Sequence, residues 1–541
     1  VAVDGDDGEV VAIVAAVAGI GVGAPAGGPL LRGIADGHVA ERVEGCAVGG
    51  VEGVEARLVL AVEEGDGRED RGARRGELVG RGEALRAEEA KADLAARGLD
   101  VDADAPVATT RVSCTTRVCT AELRLRDGFL VTTAVWMIAA LLTPLPLMLG
   151  PPHLSYVDAV FEVVSGLTTT GGTAIIGIDS LPRSVLFYRQ SLHFLGGMGI
   201  VVLAVAILPT LRVGGAQLTK GETSGPNKDS KLTPRIQQTA AALWLIYCGL
   251  NALCALAYWL GGMNWFDAIT HAFATIATGG FGNYDANFAA FDSPLLETIA
   301  VIFMMLGGTN FALHFLAWNR GSFTVYGQDP EFRAFLMIVG ACCLIAALGA
   351  WTAHVFPTFI ESLRHASFHV VSMYTSTGFT TTGFSTWPGF TPAFIMLITF
   401  LGACAGSTAG GMKTIRIMIT AKLAWRELMR VIHPRGQFVV KIGDQVIGEP
   451  ILAAVAGFVT VFIASYVVLS LAVAATGVDV VTAFSIVASC MNNVGPALGV
   501  ATATVQPLND AAVWLCSLAM LLGRLEVFTV LVLLTPAFWR E

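Results

Sequence analysis

Charge is scarce in this chain. Only 14% of its residues are Asp, Glu, Lys or Arg, where soluble proteins carry about 25%. With 54% hydrophobic residues and a mean hydropathy of +0.64, that shortage excludes an ordinary soluble domain and points to a polytopic membrane protein. The 541 residues leave room for about eight to twelve spans. CxxC pairs are also missing. The ten cysteines stand singly or as the pair Cys342 and Cys343, mostly in apolar segments, which indicates neither a zinc site nor a disulfide framework. There is no HExxH, no GxSxG and no paired-Asp motif, so the usual constellations of an intramembrane enzyme are absent.

Residues 1–121 lack Phe, Tyr, Trp, Met, Asn and Gln altogether. Val, Ala, Gly, Asp, Glu and Arg dominate there, a composition that cannot build a packed core. The one span-like piece, VVAIVAAVAGIGVGAPAGGPLL, is rich in Gly, is broken by Pro25 and follows acidic residues, which does not suit a signal peptide. Two readings of 1–122 compete: a disordered acidic extension, or residues translated from the wrong frame or strand of a GC-rich gene. The second is favoured because five of the six commonest residue types have codons beginning with G, and because the first residue, Val1, suits an alternative start codon. The acidity of the chain belongs to this segment. It holds 22 acidic and 13 basic residues over 1–121, against 21 of each over 122–541.

From about Leu123 the hydropathy becomes regular. Eight apolar segments run at 128–150, 185–209, 237–262, 295–319, 333–356, 391–420, 450–476 and 512–535. Within each successive pair lies a shorter stretch ending in Thr/Gly or Asn/Gly: FEVVSGLTTTGGTA (161–174), ITHAFATIATGGFG (269–282), FHVVSMYTSTGFTT (368–381) and FSIVASCMNNVGPA (484–497). Their glycines Gly171, Gly279, Gly378 and Gly495 are spaced by 108, 99 and 117 residues. The pattern predicts an all-α fold of four pseudo-symmetric repeats, each a span, a half-helix, a loop and a span. The expected divisions are 123–210 (repeat 1), 211–236 (link), 237–320 (repeat 2), 321–420 (repeat 3, its second span broken), 421–449 (link) and 450–541 (repeat 4).

A half-helix of ten to fourteen residues is too short to cross a bilayer. It can dip in and return, provided its unpaired backbone is buried in protein or lines water. Gly permits backbone angles that turn carbonyls toward an axis, and Thr and Ser add hydroxyl oxygen without bulk. Four such loops around one axis give rings of oxygen able to replace the hydration shell of a monovalent cation, with the partly negative C-terminal ends of the half-helices facing it. A single TTTGG run would be no more than a Gly/Thr-rich loop; the weight lies in four at corresponding places. Cations concentrate in the links: Arg212, Lys220, Lys228, Lys231 and Arg235 after repeat 1, and Lys413, Arg416, Lys422, Arg426, Arg430, Arg435 and Lys441 after repeat 3. The positive-inside rule then puts links and both termini in the cytoplasm, with the half-helices entering from outside.

The stretches LHFLGGMGIVVLAVAILP, KGETSGPNKDSKLTPRI, TIATGGFG, GACAGSTAGGMKTIRI, NNVGPALG and GRLEVFTVLVLLTPAFW resemble the membrane subunit of bacterial Trk-type potassium uptake systems, in the Trk/Ktr/HKT superfamily. The likeness covers about 123–541. It implies potassium as the transported ion, no organic cofactor on this chain and no nucleic-acid partner. It further implies a multi-pass pseudo-tetramer in the lipid bilayer of the cell inner membrane, a homodimer, and a cytoplasmic regulatory subunit with nucleotide-binding domains. The Trk branch usually has two further helices before the first repeat, which residues 1–121 do not resemble.

The resemblance maps the potassium filter onto Thr169, Thr170, Gly171, Thr278, Gly279, Thr377, Gly378, Asn493, Val494 and Gly495. The direct ligands would come from Thr170, Gly171, Thr278, Gly279, Thr377, Gly378, Val494 and Gly495. Gly rather than Ser in the first loop points to potassium over sodium; Asn492, Asn493 and Val494 depart from the Thr-Gly pattern, so the ring is expected to be asymmetric. Gly402, Gly406, Gly410 and Gly411 in GACAGSTAGGMK would each cost a lipid-facing helix about 1 kcal/mol against Ala. They read either as a packing face or, as in the family, as a gating loop beneath the filter, with Lys413 placed to neutralise the cavity. Arg524, with Glu526 two residues on, is a costly charge inside the last span. It reads either as a locally paired Arg or, by the resemblance, as an electrostatic barrier below the filter. Glu162, His193, His271, His314 and His369 are candidates for proton coupling, the plainer alternative being satisfied polar groups between helices. A sodium-permeable or ion-coupled carrier with broken helices is the alternative function, and an intramembrane enzyme a more distant one.

Overall fold

Side-chain oxygens start the helices that matter most here. In the computed structural model, which describes residues 125–206 and 232–540, the regular structure is helical apart from one small hairpin. The segment 1–122, and Arg212, Lys220, Lys228 and Lys231 of the first link, lie outside the described residues. In chain order the helices are α1 (Leu125–Leu142), α2 (Leu145–Leu149), α3 (Tyr156–Leu167), α4 (Arg183–Ala206), α5 (Leu232–Leu260), α6 (Trp265–Ile276), α7 (Pro294–Gly307) and α8 (Phe311–Arg320). They continue as α9 (Thr324–Gln328), α10 (Pro330–Thr352), α11 (Phe359–Tyr374), α12 (Thr391–Ile398) and α13 (Thr414–Ile432). A two-stranded antiparallel hairpin, Lys441–Ile442 with Gln445–Val446, follows. The chain then runs through α14 (Glu449–Ala475), α15 (Val480–Met491), α16 (Asp510–Arg524), α17 (Phe528–Leu533) and α18 (Pro536–Trp539).

Four stretches are long and apolar enough to cross a membrane: Phe129–Leu149, Ala240–Leu260, Pro330–Thr352 and Glu449–Ala475. Each precedes one of the half-helices α3, α6, α11 and α15. Their outward faces are apolar as well; Leu245, Leu253, Leu256 and Leu260 of α5 and Met337, Leu344 and Leu348 of α10 are exposed. Helices apolar all round suit a lipid surround.

The helices after the half-helices differ. The pair α7 and α8 bends by 93° at a Gly-Gly-Thr-Asn stretch, where Asn310 accepts a hydrogen bond from Ala312 N and restarts the helix. Residues 399–413 separate α12 from α13, the break expected at 402–413. The last span breaks after Arg524, with Glu526 in a left-handed conformation (φ 55°). The continuous second spans read from hydropathy at 295–319 and 512–535 are therefore each two helices, because hydropathy records apolar length and not backbone continuity.

Among the described residues the two largest apolar clusters lie around the loops. One joins side chains from Leu243 to Ala409, including Tyr247, Tyr258, Phe288, Phe335 and Phe379. The other joins Phe161 and Val164 of α3 to Phe458, Phe462, Ile486, Met491 and Met520.

Candidate functional site

All four half-helices begin alike. Ser155, Asn264, Thr358 and Asp479 cap α3, α6, α11 and α15, accepting from the backbone N–H of Asp158, Asp267, Glu361 and Thr482. They also end alike. The residue after the C-cap (Thr169, Thr278, Ser376, Asn493) has a left-handed backbone, with φ between 52° and 54°. Its N–H returns to Gly166 O, Thr275 O, Met373 O or Cys490 O. The next residue (Thr170, Gly279, Thr377, Val494) donates to Ser165 O, Ala274 O, Ser372 O or Ser489 O. This is the paired 5→2 and 6→1 closure of a Schellman turn. Its unusual feature is that Thr (β-branched, in two loops), Ser and Asn rather than Gly occupy the strained position, an arrangement that collects at functional sites.

One residue further on, the left-handed position is glycine in every loop: Gly171, Gly280, Gly378 and Gly495, with φ 82°, 81°, 82° and 101°. The structural register thus corrects the sequence reading at one place. Gly279 is the counterpart of Thr170, Thr377 and Val494; Gly280 is the counterpart of the other three glycines. The signal was present in the caps. Cap to glycine spans 16 residues in the first, second and fourth loops, Ser155 to Gly171, Asn264 to Gly280 and Asp479 to Gly495. It spans 20 in the third, whose half-helix has 16 residues where the others have 12.

The loops touch in a closed cycle. A Cβ on Gly171 would strike the carbonyl oxygen of Gly279, one on Gly280 that of Thr377, one on Gly378 that of Val494, and one on Gly495 that of Thr170. Each loop therefore presses its glycine on the same carbonyl of the next, and the fourth returns to the first. Asn493 Nδ2 ties that last seam to Thr170 Oγ1 at 3.1 Å. Thr170 Oγ1 meets Thr168 Oγ1 at 2.7 Å, and Thr377 Oγ1 meets Thr375 Oγ1 at 2.8 Å. The residues expected to form the filter in the first, third and fourth loops, with Thr278, Gly279 and Gly280, come together as one ring of neutral oxygen with no ionised side chain in it. Such a ring suits a dehydrated monovalent cation.

Behind the ring, Glu162 and Arg189 form a buried ion pair at 2.7 Å. The carboxylate also accepts from Thr173 Oγ1 and Ala174 N, and the guanidinium donates to Gly282 O, which joins loops one and two. The ring of His193 stacks on Phe281 with centroids 4.2 Å apart; neither of its nitrogens has a hydrogen-bond partner. His271 Nδ1 meets Asp267 O, His314 meets Tyr326 Oη and Leu306 O, and His369 Nε2 meets Thr382 Oγ1. Of the five proton-coupling candidates, Glu162, His314 and His369 are bonded between elements, and His271 to a carbonyl one turn back in its own helix. Among the described residues no cluster of three or more His, Cys, Asp or Glu could hold a metal.

Beneath the ring, residues 399–413 lie against several repeats. Gly402, Gly406 and Gly411 have φ of 64°, 73° and 75°, and Lys413, without a glycine's freedom, has 67°. Gly410 N donates to Ser376 Oγ at 2.6 Å, and a Cβ there would collide with Asn492 O. Thr408 Oγ1 donates to Ile276 O and Gly307 O. Lys413 Nζ donates to Ala409 O. Arg524, 3% exposed, carries no ion pair among the described residues. Its Nη1 donates to Thr408 O at 2.8 Å and its Nη2 to Gly196 O at 3.0 Å. Glu526 pairs instead with Arg416, at 2.7 Å. The residues missed from sequence are Ser376, Gly280 and Thr408; cap spacing could have found Gly280, but nothing in a linear pattern says that the Ser376 and Thr408 hydroxyls meet backbone 34 and more than a hundred residues away.

The family model for TrkH, described as a cation transport protein, matches residues 105–540. The Trk system potassium uptake protein TrkH of Halomonas elongata is 51% identical over 421 residues, 78% of this chain and 87% of that one. Its counterpart in Escherichia coli K12 is 48% identical over the same shares. The crystal structure of the potassium transporter TrkH from Vibrio parahaemolyticus aligns with a TM-score of 0.72 at 44% identity, covering 78% of this chain and 87% of that chain.

Proposed function

The chain belongs to the TrkH family of cation transport proteins, and from that premise we propose how it works: it takes up potassium through a selective, gated pore. It is a membrane transporter, not an enzyme. The carrier and intramembrane-enzyme alternatives have no support among relatives that are potassium uptake proteins. Potassium is the transported ion and no organic cofactor is implied.

The observation that carries the reading is the closed cycle of glycine against carbonyl around four loops. We assign the filter to Thr169, Thr170, Gly171, Thr278, Gly279, Gly280, Thr377, Gly378, Asn493, Val494 and Gly495. Carbonyls of Thr170, Gly279, Thr377 and Val494 supply one layer of ligands, since each stands at the same step of its loop. Loop 402–413 is the gate: Gly402, Gly406, Gly410 and Gly411 let it fold under the ring, and Lys413 and Arg524 add positive charge that opposes cations until the loop moves. Arg524 serves the closed state best here, because both of its hydrogen bonds hold the loop to the first repeat. The protein works as a homodimer in the cell inner membrane, with cytoplasmic termini and a cytoplasmic nucleotide-binding subunit that moves the gate. The basic residues of 413–441 support that orientation.

The test is growth of a potassium-uptake-deficient strain on limiting potassium. The full chain should rescue it, and Gly378→Ala, which drives a methyl into Val494 O, should not. Rescue that survives Gly378→Ala at normal expression would remove the filter assignment.

A further inference from the structure

The loop beneath the ring is closed at its neck by a side chain from a different element. Glu331 stands in the first turn of α10, whose N-cap is Asp329, next to the link formed by residues 321–329. The residue is 8% exposed. Its Oε1 accepts from Ala405 N at 2.8 Å and from Ile415 N at 3.1 Å. Those two amides flank the gate glycines Gly406, Gly410 and Gly411, so one carboxylate oxygen gathers both ends of the loop. Thr414 makes the same closure, its N–H donating to Ala403 O at 3.0 Å and its Oγ1 to Gly402 O at 2.9 Å. No Lys or Arg side chain hydrogen-bonds this carboxylate among the described residues. Both hydrogen bonds of the carboxylate, through Oε1, go to the loop's neck. Two backbone N–H groups sharing one buried acceptor oxygen are held directionally, and those donors lose their acceptor if α10 and the loop part.

We propose that Glu331 is the positioning residue of the gate: its carboxylate clasps the neck of loop 402–413, and a shift of α10 through the 321–329 link releases the loop from beneath the filter. This rests on the reading of 402–413 as the gate and names the point at which a cytoplasmic movement reaches it.

The experiment compares rubidium flux, rubidium-over-sodium selectivity and amide hydrogen exchange in the full chain, reconstituted in liposomes with no partner. Glu331→Ala should raise basal flux roughly tenfold or more, as expected for losing both hydrogen bonds at the loop's neck from the closed state. It should also speed exchange at Ala405 and Ile415 while leaving selectivity unchanged, because no filter residue is touched. Glu331→Gln, whose amide oxygen still accepts, should fall between it and the parent. If Glu331→Ala does not assemble, Glu331→Asp, which keeps the charge but withdraws the oxygen by one carbon, should give the same leak. Flux at the parent level in these variants overturns the clasp, as does a leak that comes with lost selectivity. Arg524→Ala, measured alongside, separates the two readings: a leak there without one at Glu331 removes the clasp alone, and a leak in neither removes the gate.

Discussion

Gly279 and Gly280 are adjacent and forbid a side chain for different reasons. Gly280 has a left-handed backbone and faces the Thr377 carbonyl; an Ala there carries about 1–2 kcal/mol of backbone strain and collides with atoms that cannot move away. At Gly279 a Cβ would lie 2.5 Å from Nδ1 of His193, a side chain that can be shortened. Gly279→Ala and Gly280→Ala should each cut rubidium uptake at normal membrane expression. Adding His193→Ala should restore uptake to Gly279→Ala and not to Gly280→Ala, a coupling that a double-mutant cycle reads directly. Equal rescue of both, or of neither, would contradict this division. The same geometry makes His193 a packing wedge behind the second loop, which accounts for its stacked and unpartnered ring.

The half-helix is the element that makes a filter possible. Its start is local chemistry, a capping oxygen three residues before an acidic or hydroxyl residue, in Ser155, Asn264, Thr358 and Asp479. Its end is a left-handed closure that turns the chain back toward the side it came from. The two ends are separable. Asp479→Ala should lower the melting temperature of the detergent-solubilised protein, losing about 1 kcal/mol with the cap. Rubidium-over-sodium selectivity should stay the same, since the cap lies a half-helix away from Val494. A selectivity change without a stability change would show that the cap acts on the ring itself.

Across the described residues the four loops close into a cycle with unequal seams. Asp285 Oδ1 accepts from Gly177 N and Ile178 N, joining the outer parts of loops one and two. Ala289 N donates to Thr380 O between two and three, and Val505 N to Thr173 O between four and one. The seam between the last repeat and the first carries the Asn493 amide, which bonds Thr170 Oγ1 and also Met520 O. Asn493→Ser keeps a residue type that the third loop uses at this position, Ser376, and deletes the bridge. It should preserve expression and reduce rubidium-over-sodium selectivity by roughly threefold to tenfold, the value of one buried hydrogen bond. Unaltered selectivity would mean that the seam is held by the backbone alone.

Low charge, regular hydropathy and four Thr/Gly or Asn/Gly stretches determined, without coordinates, an all-helical membrane protein with recurring half-helices. These properties are local or periodic, and caps such as Ser155 and Asp479 are readable within four residues. Tertiary structure alone decided that α7 and α8 part at 93°, that Arg524 reaches backbone carbonyls while Glu526 takes Arg416, and that Glu331 grips a loop some 74 to 84 residues away. Each of those depends on which polar groups are left without water at one point in space, and that is set by packing between segments far apart in the chain.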